Sequence, residues 1–167
     1  MYEGWQFEDW QTPVSKAKSL QMVSLVDDVK LSILLQDLQD SQRRRFRFTF
    51  ENYPAYRNIN ESYRTELWRL LPGGKTKNLG WTFIVTDSPW IASFSQETLL
   101  YVFPTLVHYV ISTEDDVIEI LSPELPEIIE IEPQADPEPL PGKSVILNRS
   151  DFNSTEELID YIKGKKN

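Results

Sequence analysis

Phenylalanine at positions 46, 48 and 50 alternates with Arg45, Arg47 and Thr49, and this period of two constrains the fold more than any other feature of the chain. Successive side chains of a strand point to opposite faces, so the three rings must share one side and the cations the other. A slip of one residue would put all three rings in water. Residues 29–35 alternate as well, with Val29, Leu31, Ile33 and Leu35 set against Lys30, Ser32 and Leu34, and the polar stretch 37–42 separates the two runs. The expected product is an antiparallel hairpin with Phe46, Phe48 and Phe50 buried and Arg45 and Arg47 exposed.

Around this hairpin the pattern is mixed. Residues 20–26 have no clear period. Pro54 breaks the second run, since it cannot donate to a ladder and biases Tyr53 toward extended geometry, and residues 55–59 follow as a short strand. Tyr63, Leu67, Trp68 and Leu71 form a helical stripe over 61–71, which Pro72, Gly73 and Gly74 stop. Residues 80–86 are rich in β-branched and aromatic groups and read as a buried strand. Ser88 before Pro89 opens a short helix over 89–97, with Trp90, Ile91 and Phe94 on one face. Residues 106–112 and 117–121 read as strands, the second having as its alternative a helical turn capped by Thr113 or Asp115.

Residues 122–142 hold six of the chain's eleven prolines among Glu and Asp, the signature of a loop with at most an edge strand at Glu127–Ile131. Ser154 and Glu157 then form a capping box. Leu158, Ile159, Tyr161 and Ile162 give the final helix an apolar face, and Lys163, Lys165 and Lys166 suit its negative end. The fold class is therefore α+β, mainly antiparallel sheet with two or three helices packed on it. One domain is expected over 1–150, including the acidic proline-rich loop 122–142, with a C-terminal helix over 151–167. No internal repeat suggests a solenoid.

Charge narrows the function. Residues 43–77 hold nearly all the cations of the middle of the chain, whereas 114–138 is acidic without one Lys or Arg, and the net charge is −9. That balance opposes nucleic acid and anionic membrane as partners, because phosphate neutralisation needs surplus cations. The interleaved Arg43-Arg44-Arg45-Phe46-Arg47-Phe48 resembles a single-strand-binding sheet, but there the aromatics must face outward, and here the alternation turns them inward. With no cysteine and a single histidine, disulfides, thiolate chemistry and His-pair metal sites are excluded. The first ten residues lack the pattern of a signal peptide, no apolar run reaches the ~18 to 20 residues of a membrane span, and a cytoplasmic location is expected.

His108 is the one side chain that titrates unaided near neutral pH. It stands in a strand with Leu106 and Val110 on its face, and Glu114 or Asp115 beside it would assemble a general base. Ser93, Ser95 and Ser112 sit in no nucleophile-elbow context, so a structural histidine and a non-enzymatic protein without cofactor are expected. Glu114, Asp115, Asp116 and Glu119 do not follow EF-hand spacing, and Lys75 after Gly73-Gly74 does not make a phosphate loop. The residues expected to bind a partner are Asp115, Asp116, Glu119, Glu124, Glu127 and Glu130, acting on a basic protein.

Residues 50–61 (Phe-Glu-Asn-Tyr-Pro-Ala-Tyr-Arg-Asn-Ile-Asn-Glu), 87–91 (Asp-Ser-Pro-Trp-Ile) and 107–122 resemble stretches of small, largely uncharacterised bacterial proteins, some of toxin-immunity type, over roughly residues 29–131. The resemblance implies an inhibitor of a basic toxin and assigns no individual residue a role. A self-associating subunit, with the Arg43 to Arg47 face pairing to the acidic tract of another copy, is the alternative. A hydrolase using His108 ranks third.

Overall fold

Nine strands build two antiparallel sheets. In the computed structural model, which describes residues 5–71, 79–132, 154–162 and 164, they are β1 Gln6–Asp9, β2 Leu20–Asp27, β3 Leu31–Asp37, β4 Arg45–Phe50, β5 Ala55–Asn60, β6 Thr82–Thr86, β7 Val107–Ser112, β8 Asp116–Ser122 and β9 Glu127–Ile131. One sheet has the order β1-β6-β7-β8-β5 and the other β2-β3-β4-β9. The helices are α1 Thr65–Leu70, α2 Pro89–Ala92, α3 Thr98–Val102 and α4 Thr155–Ile162, with a 3₁₀ turn at Glu61–Tyr63 ahead of α1. The architecture is α+β and mainly sheet, as the alternation predicts.

The hairpin forms with Ile33 opposite Phe48 and Leu31 opposite Phe50. Its apolar face packs on one face of the five-stranded sheet, and the shared core joins Leu31, Ile33, Leu35, Phe48 and Phe50 to Tyr109, Ile111, Ile118 and Ile120. Trp10 fills the seam, its ring centroid 5.8 Å from Phe48 and 4.9 Å from Tyr109, at the offset and edge-on angles that aromatic quadrupoles favour. A second core covers the opposite face of the five-stranded sheet, where Leu67 and Leu71 of the α1 segment meet Phe83, Val85, Val110 and Val117. The central strands are thus buried on both faces, which is why 117–121 is apolar at every position but Glu119.

Several expectations need correction. Phe48 and Phe50 are fully buried, but Phe46 is only half-buried, and so are Arg45 and Arg47. Phe46 lies at the strand end with the Arg44 guanidinium 6.0 Å from its ring, and Arg45 folds onto the sheet to donate to Gln36 Oε1 at 3.1 Å. Tyr63 is 81% exposed, because 61–63 is a 3₁₀ turn, capped by the Asn60 side chain, and its phase differs from that of α1. The 89–97 helix ends at Ala92. Beyond it the amides of Phe94, Ser95 and Glu97 bond three residues back, not four, a tighter winding that does not propagate far. Residues 20–26, without period in the sequence, are strand β2 with a register shift between Met22 and Ser24, and a bulge of that kind scrambles alternation. The 117–121 segment is a strand, its entry turn closed by Thr113 through Oγ1 and Asp116.

β9 is an edge strand, paired only with β4. The chain divides into two compact units, Met1–Pro133 and Gln134–Asn167. The expected boundary at 150/151, the rest of the proline-rich loop and Pro72 to Gly74 lie outside the described residues, as do Lys163, Lys165 and Lys166. In the second unit Ser154 Oγ accepts the Glu157 amide at 3.1 Å, as the expected capping box requires.

Gly80 supplies a testable local requirement. Its φ is +69°, and a Cβ there would collide with the carbonyl oxygen of Ser15, which accepts the amide of Trp81. Gly80→Ala is expected to cost more than about 1 kcal/mol, since both the left-handed backbone and the close approach oppose a side chain. Equilibrium urea unfolding of the variant measures it; an unchanged midpoint would show that the 10–15 segment yields freely.

Candidate functional site

Titratable chemistry collects on the helix-covered face of the five-stranded sheet. β7 sends His108 to that face and β8 sends Glu119, one strand over, while Arg57 comes from β5 directly opposite Glu119. Ser88, the N-cap of α2, accepts the Ile91 amide at 3.2 Å and lies 2.8 Å from His108 Nδ1. A carboxylate facing Nε2 suits the tautomer with its proton there and the hydroxyl donating to Nδ1, and Glu119 Oε1 stands 3.2 Å from Nε2. That contact is off the line of a good hydrogen bond, leaving Nε2 without a well-formed partner.

Glu119 is held far more tightly by guanidinium. Arg57 grips it bidentately, Nε to Oε2 at 2.9 Å and Nη2 to Oε1 at 2.8 Å, and Arg64 Nη2 approaches to 2.9 Å. Forked charge-assisted bonds of this kind are the strong ones. The Arg57 guanidinium also stacks 4.3 Å over the Trp90 ring, and Trp90 and Trp5 stand edge-on to the imidazole. Glu119 and His108 are both 0% exposed.

Burial alone would raise the Glu119 carboxyl, but His108, Arg57 and Arg64 outweigh it and bring it down to about 2. For His108 burial is the largest influence and lowers it; Glu119 pulls the other way, and the two arginines add to the lowering. The resting state is a neutral imidazole beside a carboxylate between two cations. Because the folded value of Glu119 lies below its ordinary 4.5, its stabilisation is complete above that pH and lost as pH falls through about 2. Lowered His108 adds a loss beginning as pH drops through 6.5. Stability should decline from pH 6.5 downward, with on the order of 3 kcal/mol attached to Glu119. Urea titrations across pH test this: Glu119→Gln should flatten the acid limb below about 4.5, and an unchanged limb would show that the carboxyl is not what titrates.

Serine, histidine and glutamate in a chain are the groups of acyl transfer, but here the Ser88 oxygen also accepts from the helix and is only 6% exposed, and the carboxylate's lone pairs go to arginine. The arrangement clamps α2 and the 57–64 segment onto the sheet. His108 does share a face with Val110, as its strand requires, but its carboxylate is Glu119, neither Glu114 nor Asp115.

Glu119 therefore leaves the set of surface residues expected to bind a partner. The others are split by topology. Asp115 is exposed and Asp116 half-exposed at the β7–β8 turn, where β5 ends. Glu124 and Glu127 are exposed at the opposite end, where β5 begins and β4 finishes, and Glu124 accepts Asn52 Nδ2 at 3.2 Å. Glu130 is exposed opposite Phe46, toward the far end of β9. Sequence reasoning missed the carboxylates that join Glu124 and Glu127. The register brings Asp27, at the end of β2, and Glu51, just past β4, to the same end. Tyr53 donates to Asp27 Oδ1 at 2.6 Å and to the Asp28 carbonyl, and its phenol is pushed up to about 12, first by the bond to Asp27. The one cation there among the described residues, Lys30, is paired with Glu51.

Among the described residues no group of three or more His, Asp or Glu is placed to hold a metal ion, and no helix is long and apolar enough to cross a membrane. No protein-family model, curated protein or solved structure matches the chain.

Proposed function

We propose that this protein is a non-enzymatic protein-binding domain that receives a basic partner on the end of its two-sheet unit, with inhibition of a basic toxin as the concrete form. The observation that carries the reading is the gathering of Asp27, Asp28, Glu51, Glu124 and Glu127 at strand ends and turns of one end of the unit, against which, among the described residues, the already paired Lys30 is set. Such a surface speeds encounter with a cationic partner and rejects anionic ones. The buried Ser88, His108 and Glu119 network fits a structural role, because the Ser88 hydroxyl is engaged with the ring and the helix and both Glu119 oxygens are held by arginine.

Reversal of Asp28, Glu124 and Glu127 to Lys should slow association with the partner at least about tenfold at low salt, while each exposed substitution changes stability by no more than about 0.5 kcal/mol. The wild-type on-rate should fall as salt shortens the screening length below ~8 Å. Stopped-flow association with the captured partner reads both. Salt-independent association, equal in wild type and variant, would remove the acidic end from the binding surface.

A further inference from the structure

At the other end of the four-stranded sheet, a cleft of about 450 Å³ opens between the 13–18 segment and the β3–β4 turn. Val14, Ala17 and Phe46 give it an apolar floor, and Lys16, Lys18 and Arg44 stand on its walls. Two carboxylates are also present, but both are occupied. Asp37 accepts the backbone amides of Lys18, Ser19 and Gln39, which ties the two walls together and presets the opening. Asp40 takes the amide and Nε of Arg44. Lys16 and Lys18 are exposed and have no partner among the described residues. The lining thus sets three cations against two carboxylates, a net charge of +1, in a chain whose net charge is −9, and the cations without a paired carboxylate among the described residues are Lys16 and Lys18.

We infer that this cleft holds an extended acidic peptide segment of a partner protein, with an apolar side chain against Val14, Ala17 and Phe46 and its carboxylates against Lys16 and Lys18. The volume lies within the range of ligand sites. The opening is broad and its walls are polar, so it cannot enclose a compact apolar molecule, whereas a peptide needs burial only for alternate side chains. Nucleic acid is disfavoured because Phe46 is the single aromatic in the lining, whereas a single strand needs successive stacking platforms. The site is independent of the acidic end, to which a partner of opposite charge is assigned.

The test is fluorescence anisotropy of the full chain with a labelled hexapeptide alternating Glu and Leu, run beside a Lys and Leu peptide of equal length and a short oligothymidylate. The acidic peptide should bind, lose at least about tenfold in affinity in Lys16→Glu/Lys18→Glu, and weaken as salt rises. Both lysines are exposed, so the double variant should melt like the parent, and a thermal scan confirms it. Asp28→Lys/Glu124→Lys/Glu127→Lys should bind the acidic peptide as the parent does, which separates failure of this site from failure of the acidic end. Equal binding of the acidic peptide by the lysine double variant, no binding at all, or tighter binding of the Lys and Leu peptide or the oligothymidylate would overturn the inference.

Discussion

Glu119→Ala should destabilise the fold by about 3–5 kcal/mol, the cost of leaving a buried charge without its partner. The variant strands Arg64, whose side chain is 12% exposed, and Arg57 beneath Trp90, and it removes the acceptor facing His108. Out of a total of roughly 5–15 kcal/mol for a domain, that loss is a large share of the stability and lowers the denaturant midpoint accordingly. Glu119→Gln should lose less, because the amide oxygen still accepts from one guanidinium and the shape is kept. Combining Glu119→Leu with Arg64→Met should cost less than the two single changes summed, since residues in one network couple by about 0.5–3 kcal/mol. Urea unfolding of the set measures this. A loss below about 1 kcal/mol for Glu119→Ala would mean that water reaches the arginines and the network clamps nothing.

Phe48→Ala should cost about 3–5 kcal/mol, the range for a ring removed from a packed core. Phe48 is 0% exposed and meets Trp10 edge-on at 5.8 Å, so the void would open between the two sheets with only rigid strands around it. Phe46→Ala, half-buried at the strand end, should cost roughly half as much, because solvent fills the space it leaves. The ratio of the two losses, read from denaturant midpoints at constant slope, tests how the burial falls off along β4. Equal losses would place Phe46 as deep in the core as Phe48 and contradict its half-buried position at the strand end.

The fold was legible wherever a strand has one wet face. The hairpin of β3 and β4 announced itself through alternation, and the prolines around Glu127–Ile131 marked β9 as an edge because proline cannot serve a central ladder. β2 was not legible, since the shift between Met22 and Ser24 changes its phase halfway. The break after Ala92 was hidden for another reason: Trp90, Ile91 and Phe94 keep a helical spacing while the winding tightens.

The buried network was half legible. Glu119 sits in Val117-Ile118-Glu119-Ile120-Leu121, a run too apolar for a strand with a solvent face, and a carboxylate inside such a run demands a cation. That signal was present and went unread when Glu119 was grouped with its acidic neighbours. Its partners Arg57 and Arg64 lie 62 and 55 residues away in sequence, and only the β5–β8 pairing brings them opposite it. The acidic end was legible in part for the same reason. Glu124 and Glu127 belong to the visible acidic tract, whereas Asp27, Asp28 and Glu51 arrive from a hairpin turn and a strand exit that only the register gathers.

The most direct measurement of the central claim is affinity capture from a lysate of cells that make the protein, with three baits compared: wild type, Ser88→Ala, and Asp28→Lys/Glu124→Lys/Glu127→Lys. Ser88→Ala removes a helix cap, about 1 kcal/mol, and leaves the buried Nδ1 of His108 without its hydroxyl, about 1–3 kcal/mol more, so a thermal scan first establishes that this bait is folded. Wild type and Ser88→Ala should retain the same basic protein at low salt and release it as salt rises, and the charge-reversed bait should lose it. Retention of the same partner by the charge-reversed bait, or its loss by Ser88→Ala while that bait stays folded, would contradict the assignment of binding to the acidic end and of structure to the buried network.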